Sequence, residues 1–240
     1  MPAQRTGPPT KWRLSLMNRL ILNQGPQVVG TLSSLDGSFR GGCDIVEVRL
    51  DKTSRPADWL ARCQAIEDGG TPVLLTVRLR SEGGDWETDD HRRLKIYEQG
   101  LAKLSAVDVE LRSTICAAVA KEAKRLGKVC IVSYHDFQGT PPLGELASVV
   151  AKAQEIGTVA KISTRIRSEA DVAILRSLLE RKWDQPLCVI GMGEEWRQTR
   201  VLFPTLGSCL SYGYLDQPTA PGQWPAAELM RQLQSARAKS

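Results

Sequence analysis

Two residues in this chain sit where core packing alone gives them no reason to be. Lys161 lies in the middle of an apolar run, VAKIST (159–164), and His135, one of only two histidines, ends another, CIVSYHDF (130–137). A lysine buried mid-strand is costly unless its charge is paired or lost. At an ordinary pKa of about 10.4 it is uncharged in only about one molecule in 2,500 at pH 7. Burial and neighbouring arginines, Arg49, Arg78 or Arg200, are expected to lower that value, and two units correspond to about 2.7 kcal/mol. The result would be a nucleophilic amine able to form an imine with a carbonyl substrate. An imidazole on the adjacent strand, with an ordinary pKa near 6.5, can carry protons in both directions.

Other strand-like runs carry charge in the same manner. Side chains two apart on a strand share a face. In IVEVRL (45–50), Ile45, Glu47 and Arg49 therefore oppose Val46, Val48 and Leu50. Asp108 with Glu110, Ser133 with His135, and Lys161 with Ser163 repeat the pattern. If helices cover the apolar face, the charged face points inward, where it must be paired. The bland reading is a salt-bridged interior, with Lys161 against Glu110 and His135 against a backbone carbonyl. The chemical reading is an active site at the C-terminal ends of the strands.

The elements that must position these residues recur along the chain. Strand-like runs fall at 28–32, 45–50, 73–78, 106–111, 128–135, 159–164, 187–193 and 209–215. Helix-like stretches with apolar residues three or four apart lie between most of them, as at 89–104, 113–127 and 168–182. Gly127 marks a helix end, and Thr140 before Pro141 marks a helix start. Alternation predicts a parallel sheet, and eight units in 240 residues predict an α/β fold of the (β/α)8 TIM-barrel type. No Gly-rich dinucleotide fingerprint follows the first run. Only SSLDGSFRGGCD separates the first two runs, so the first crossover is shortened to a loop or single turn.

Composition, 42% hydrophobic and 25% charged, is that of a soluble globule, without an apolar stretch of membrane-spanning length. The net charge of +5 misleads: Arg5, Lys11, Arg13 and Arg19 at one end and Arg231, Arg237 and Lys239 at the other leave a slightly acidic body. Neither nucleic acid nor membrane is therefore an expected partner. Residues 1–25 read as a flexible basic extension and 26–240 as one barrel domain. Six widely spaced cysteines without a CxxC pair suit a reduced, cytoplasmic setting and offer no zinc site. His91, in TDDHRRL, reads as an exposed residue behind a capping Asp89 or Asp90, and Asp136 as a turn former.

The segments EVRLD (47–51), RLRSEGG (78–84), DVEL (108–111), SYHDFQGTP (133–141), AKIST (160–164) and TAPGQ (219–223) together resemble the type I 3-dehydroquinate dehydratase family over about residues 28–230. The resemblance implies a (β/α)8 barrel that converts 3-dehydroquinate to 3-dehydroshikimate in the shikimate pathway, with no metal and no cofactor. It implies that Lys161 forms the Schiff base, that His135 moves the protons, and that Glu82 orients this histidine. It assigns Glu47, Arg49 and Arg78 to the ring hydroxyls and Arg200 and Gln223 to the carboxylate, with Thr219 on a closing lid. It also implies a homodimer. Thr219 stands where the family commonly has serine, and GMGEEWRQTR departs from the family's usual run before Arg200. Two readings compete: another Schiff-base barrel such as a class I aldolase, and a barrel that only binds a small anion.

Overall fold

The computed structural model describes residues 25–37, 39–87 and 89–238. The N-terminal extension expected over 1–25 lies, but for its last residue, outside them. Strands β1 (Gln27–Leu32), β2 (Ile45–Arg49), β3 (Val73–Thr76) and β4 (Ala106–Glu110) form the first half of a parallel sheet. The second half is β5 (Val129–Asp136), β6 (Val159–Arg165), β7 (Leu187–Met192) and β8 (Leu210–Tyr214). A two-residue β9 (Trp224–Pro225) flanks β8. The order β7-β6-β5-β4-β3-β2-β1-β8 leaves β7 and β8 as the two edges. The edges meet: Cys209 N–H donates to the Leu187 carbonyl at 2.9 Å, and the Ser208 hydroxyl accepts from Val189 N–H at 2.9 Å. The sheet is thus a closed barrel.

Among the described residues seven α-helices wrap it: α1 (Trp59–Asp68), α2 (Asp90–Leu101), α3 (Cys116–Arg125), α4 (Leu143–Ile156), α5 (Glu169–Glu180), α6 (Thr199–Thr205) and α7 (Ala226–Arg237). No helix lies among the described residues of 33–44, so the first crossover is a loop. Val46, Val48 and Leu50 pack outward against the helices, while Ile45 joins Leu74, Ala106, Ile131, Val159 and Cys188 in an apolar floor inside the barrel. Everything chemical stands above that floor.

Two of the boundaries that differ from the sequence expectation have a visible tertiary cause. Strand β3 stops at Thr76 because Val77 leaves the ladder: its N–H donates to the Tyr97 hydroxyl (3.2 Å) and its carbonyl accepts from Arg93 Nε (2.8 Å). Helix α4 begins at Leu143 behind Pro142, not at Thr140–Pro141. The Thr140 hydroxyl donates to the Arg165 carbonyl at 3.0 Å, tying the β5–α4 loop to the end of β6.

Ser208 also donates to the Leu210 carbonyl at 3.1 Å, so one hydroxyl serves both edges of the seam. Ser208→Ala strands the buried Val189 N–H and should lower stability by about 1–3 kcal/mol in urea unfolding. An unchanged midpoint would show that the seam is held by other groups.

Candidate active site

Above the floor, charges alternate in sign from the outer helix layer to the barrel centre. Arg93, fully buried on α2, pairs with Glu110 of β4. Glu110 Oε1 lies 3.1 Å from Arg78 Nη1, and Arg78 Nη2 lies 2.8 Å from Asp108 Oδ1. Asp108 Oδ2 then accepts from Lys161 Nζ at 2.8 Å. Ser133 bridges the middle, accepting from Arg78 at 2.7 Å and donating to Asp108 at 2.7 Å. Burial by itself would raise the Asp108 carboxyl, but Arg78 and Lys161 outweigh it and hold Asp108 far below the carboxylate range. On its other side the Lys161 nitrogen lies 4.2 Å from the centroid of the Tyr212 ring. A carboxylate and a π face make a pocket for a positive nitrogen. The sequence suggested arginines beside the Lys161 amine; in the structure Arg78 reaches it through Asp108, the carboxylate that both of them hold.

His135, at the end of β5, is one inward-facing position above Ser133, which is in register with Lys161 on β6. Its side chain is 10% exposed. Its Nδ1 lies 2.9 Å from Glu82 Oε2, and its backbone N–H donates to the same oxygen at 3.2 Å. The turn that returns Glu82 to this position needs both glycines of RSEGG. Gly83 adopts φ +79° beneath Phe137, and a Cβ on Gly84 would lie 2.0 Å from the Arg78 carbonyl oxygen. Burial lowers the His135 imidazole well below its ordinary value, reinforced by the positive charges of Arg78 and Lys161. Burial also pushes Glu82 up to about 7, against the pull of Arg78. With Glu82 Oε2 accepting the Nδ1 proton, Nε2 carries the lone pair.

Glu47 accepts hydroxyl hydrogen bonds from Thr31 (3.0 Å) and Thr76 (2.8 Å), keeping spare lone pairs for a ligand. Arg49 is fixed by a two-pronged pair with the buried Asp51, Nε at 3.0 Å and Nη2 at 2.8 Å. Arg200, buried on α6, donates only to carbonyls, Gly222 at 2.9 Å and Tyr212 at 3.3 Å. Among the described residues no carboxylate lies within ion-pair distance of it, and burial pulls its guanidinium down to about 10. It is a desolvated cation waiting for an anion. In the loop 219–223, Gln223 Oε1 accepts from Thr219 N–H (2.7 Å), the Thr219 hydroxyl (3.2 Å) and Ala220 N–H (3.2 Å). The amide nitrogen of Gln223 is thereby left as the donor available to a ligand.

Lys161, His135, Glu82, Glu47, Arg49, Arg78, Arg200, Thr219 and Gln223 all line one cavity at the C-terminal mouth of the barrel. Phe137, 41% exposed, stacks over His135 at that mouth. His91 is exposed on α2 behind the capping Asp89, and Asp136 accepts from Gln138 and Gly139 N–H in a turn. Four supporting residues escaped the sequence reading as site members: Asp51, Arg93, Asp108 as the partner of Lys161, and Tyr212. Arg93 carried a usable signal, since it precedes Tyr97 and Leu101 on the buried stripe of its helix. Among the described residues no group of His, Cys, Asp or Glu is placed to hold a metal ion.

The sequence model of the family described as type I 3-dehydroquinase matches residues 24–240. A 3-dehydroquinate dehydratase of Methanocella arvoryzae is 32% identical over 212 residues, covering 87% of this chain and 95% of the relative. One from Methanothrix thermoacetophila is 36% identical over 190 residues, covering 78% and 80%. Among solved structures, the 3-dehydroquinate dehydratase of Geobacillus kaustophilus matches in fold, with a TM-score of 0.80 at 23% identity, over 90% of this chain and 93% of that one. That of Aquifex aeolicus has a TM-score of 0.75 at 26% identity, over 87% and 97%.

A carboxyl raised from 4.5 to about 7 on folding stabilises the fold below its unfolded pKa and loses that contribution as pH rises through 7. Glu82→Gln keeps an acceptor toward His135 but cannot titrate. Relative to the wild type it should gain stability progressively between about pH 5 and pH 8, read as a widening Tm difference. A difference that stays flat over that range would contradict a raised Glu82.

Proposed function

The chain belongs to the type I 3-dehydroquinase family, and we propose that Lys161, His135 and Glu82 carry its reaction in the cavity described above. It is a hydro-lyase of the shikimate pathway, converting 3-dehydroquinate to 3-dehydroshikimate through a Schiff base. The family match displaces the aldolase-like and anion-binding readings. The single observation that carries the residue assignment is the meeting of Lys161, 4% exposed, with a neutral imidazole at the same end of the barrel.

The steps follow from the groups present. Lys161 surrenders a proton to His135 and attacks the C3 ketone; His135 returns that proton to the carbinolamine hydroxyl, which leaves as water and gives an iminium beside a neutral imidazole. The iminium nitrogen occupies the place of the ammonium, so Asp108 and the Tyr212 ring face it in turn. A nitrogen kept positive is an electron sink, which makes the C2 proton removable. His135 Nε2 takes that proton while Glu82 receives the hydrogen bond from Nδ1. The resulting enamine expels the C1 hydroxyl, which His135 protonates as it leaves, and water then hydrolyses the product iminium to free Lys161. Arg200 receives the substrate carboxylate, where a guanidinium fork suits a planar anion. Glu47, Arg49 and Arg78 receive the ring hydroxyls, and the Thr219–Gln223 loop excludes water from above.

No helix among the described residues is long and apolar enough to cross a membrane. Assembly as a homodimer in the cytoplasm is proposed on the family resemblance and is read directly by sedimentation of the purified chain.

Borohydride added during turnover should reduce the iminium and leave substrate- or product-derived mass on the peptide containing Lys161. An unmodified Lys161, or mass on another lysine, overturns the assignment. His135→Ala should lower kcat by roughly 10²–10⁴-fold while borohydride still traps some adduct. Full turnover in that variant removes His135 from the mechanism.

A further inference from the structure

The segment that departs from the family's usual run, GMGEEWRQTR, forms the seat on which the 219–223 loop rests. Gly222 is gripped from both sides. Its N–H donates to Glu194 Oε2 at 2.7 Å, and its carbonyl accepts from Arg200 Nε at 2.9 Å. The two backbones meet flush: a Cβ on Gly222 would lie 2.5 Å from the Gly193 carbonyl oxygen, and both glycines have positive φ, +71° and +137°. The far end of the loop is fixed to the same segment, since Trp224 Nε1 donates to the Arg197 carbonyl at 3.2 Å.

Arg200 therefore has two tasks joined at one residue. Its Nε–H is committed to Gly222 and its Nη1 to the Tyr212 carbonyl, which together set the rotation of the guanidinium and leave Nη2 for an anion. Opening of the loop breaks that bond and frees the side chain to turn. We propose that Glu194 is a positioning residue: it latches the 219–223 loop shut and thereby holds Arg200 in register for the substrate carboxylate. The proposal rests on the reading that Arg200 receives that carboxylate. Glu194 is itself exposed at the rim, and its carboxylate bonds the loop at Gly222 N–H while its charge is felt by Arg200, so it acts on the loop and on Arg200 and not on substrate. A hydrogen bond from a backbone N–H to a carboxylate is of the stronger, charge-assisted kind, and the closed loop depends on it.

The test compares Glu194→Ala, Glu194→Gln and Arg200→Lys by steady-state kinetics, thermal unfolding and borohydride trapping with 3-dehydroquinate. Glu194→Ala should raise KM roughly 3–10-fold, with kcat within about twofold of the wild type and Tm unchanged. Glu194→Gln keeps an acceptor oxygen for Gly222 N–H and removes a negative charge near the anion site. Its KM should return to the wild-type value or fall below it. An unchanged KM in Glu194→Ala, or a failure of Glu194→Gln to restore it, overturns the latch. A joint fall of kcat and Tm in Glu194→Ala assigns the residue to structure alone and also overturns it. Arg200→Lys separates the two levels: if its KM does not rise, the carboxylate reading of Arg200 fails. If it rises while Glu194→Ala is silent, only the latch fails.

Discussion

The site depends on one row of alternating charges, Arg93, Glu110, Arg78, Asp108 and Lys161, running from a helix on the outside of the barrel to its centre. Buried ions are tolerated when each has an opposite neighbour and its remaining hydrogen-bonding capacity is used. Here each interior member has both: Leu79 N–H occupies Glu110 at 2.9 Å, and Ser133 occupies Asp108. Removing an interior member leaves two neighbours unbalanced. That explains why the row draws on α2, β4, the end of β3 and β6. A closed barrel brings these elements within hydrogen-bond distance above its apolar floor.

The row ends on Lys161, whose nitrogen rests between a carboxylate and an aromatic face, an environment that suits the iminium proposed above. Burial and the positive charges of Arg78 and Lys161 lower the neighbouring His135 imidazole. The two groups of the proposed mechanism thus share one electrostatic arrangement. Arg200 stands apart from it, a cation that donates only to carbonyls, and in the proposed mechanism the substrate carboxylate supplies the anion that the row does not.

Much of this was legible in the sequence because a strand's period of two separates its faces without ambiguity. Glu47 and Arg49 alternating with Val46, Val48 and Leu50 could belong only to a barrel whose outside is covered and whose inside is charged. Pairing was not legible. Lys161 meets Asp108 and not Glu110, because Glu110 is claimed by Arg93 from a helix whose reach into the barrel the sequence reading did not place. The same residue, with Tyr97, ends β3 early, an effect of tertiary contacts on a run whose local preference is extended. The Thr140–Pro141 helix start failed for a related reason: the hydroxyl found a carbonyl on the neighbouring strand before it could cap. Gln223 was placed on the right loop, but only its three internal acceptor contacts fix which end of the amide faces the cavity.

The central claim is that Lys161 works while its nitrogen stays in the grip of Asp108, with the substrate carboxylate carried by Arg200. A crystal structure of the borohydride-reduced adduct tests it most directly. The account predicts a carbon–nitrogen bond at Lys161 Nζ, Asp108 still within hydrogen-bond distance of that nitrogen, and the ligand carboxylate on the Arg200 guanidinium beneath the 219–223 loop. A nitrogen swung away from Asp108, or a carboxylate seated on Arg49 or Arg78, would contradict it.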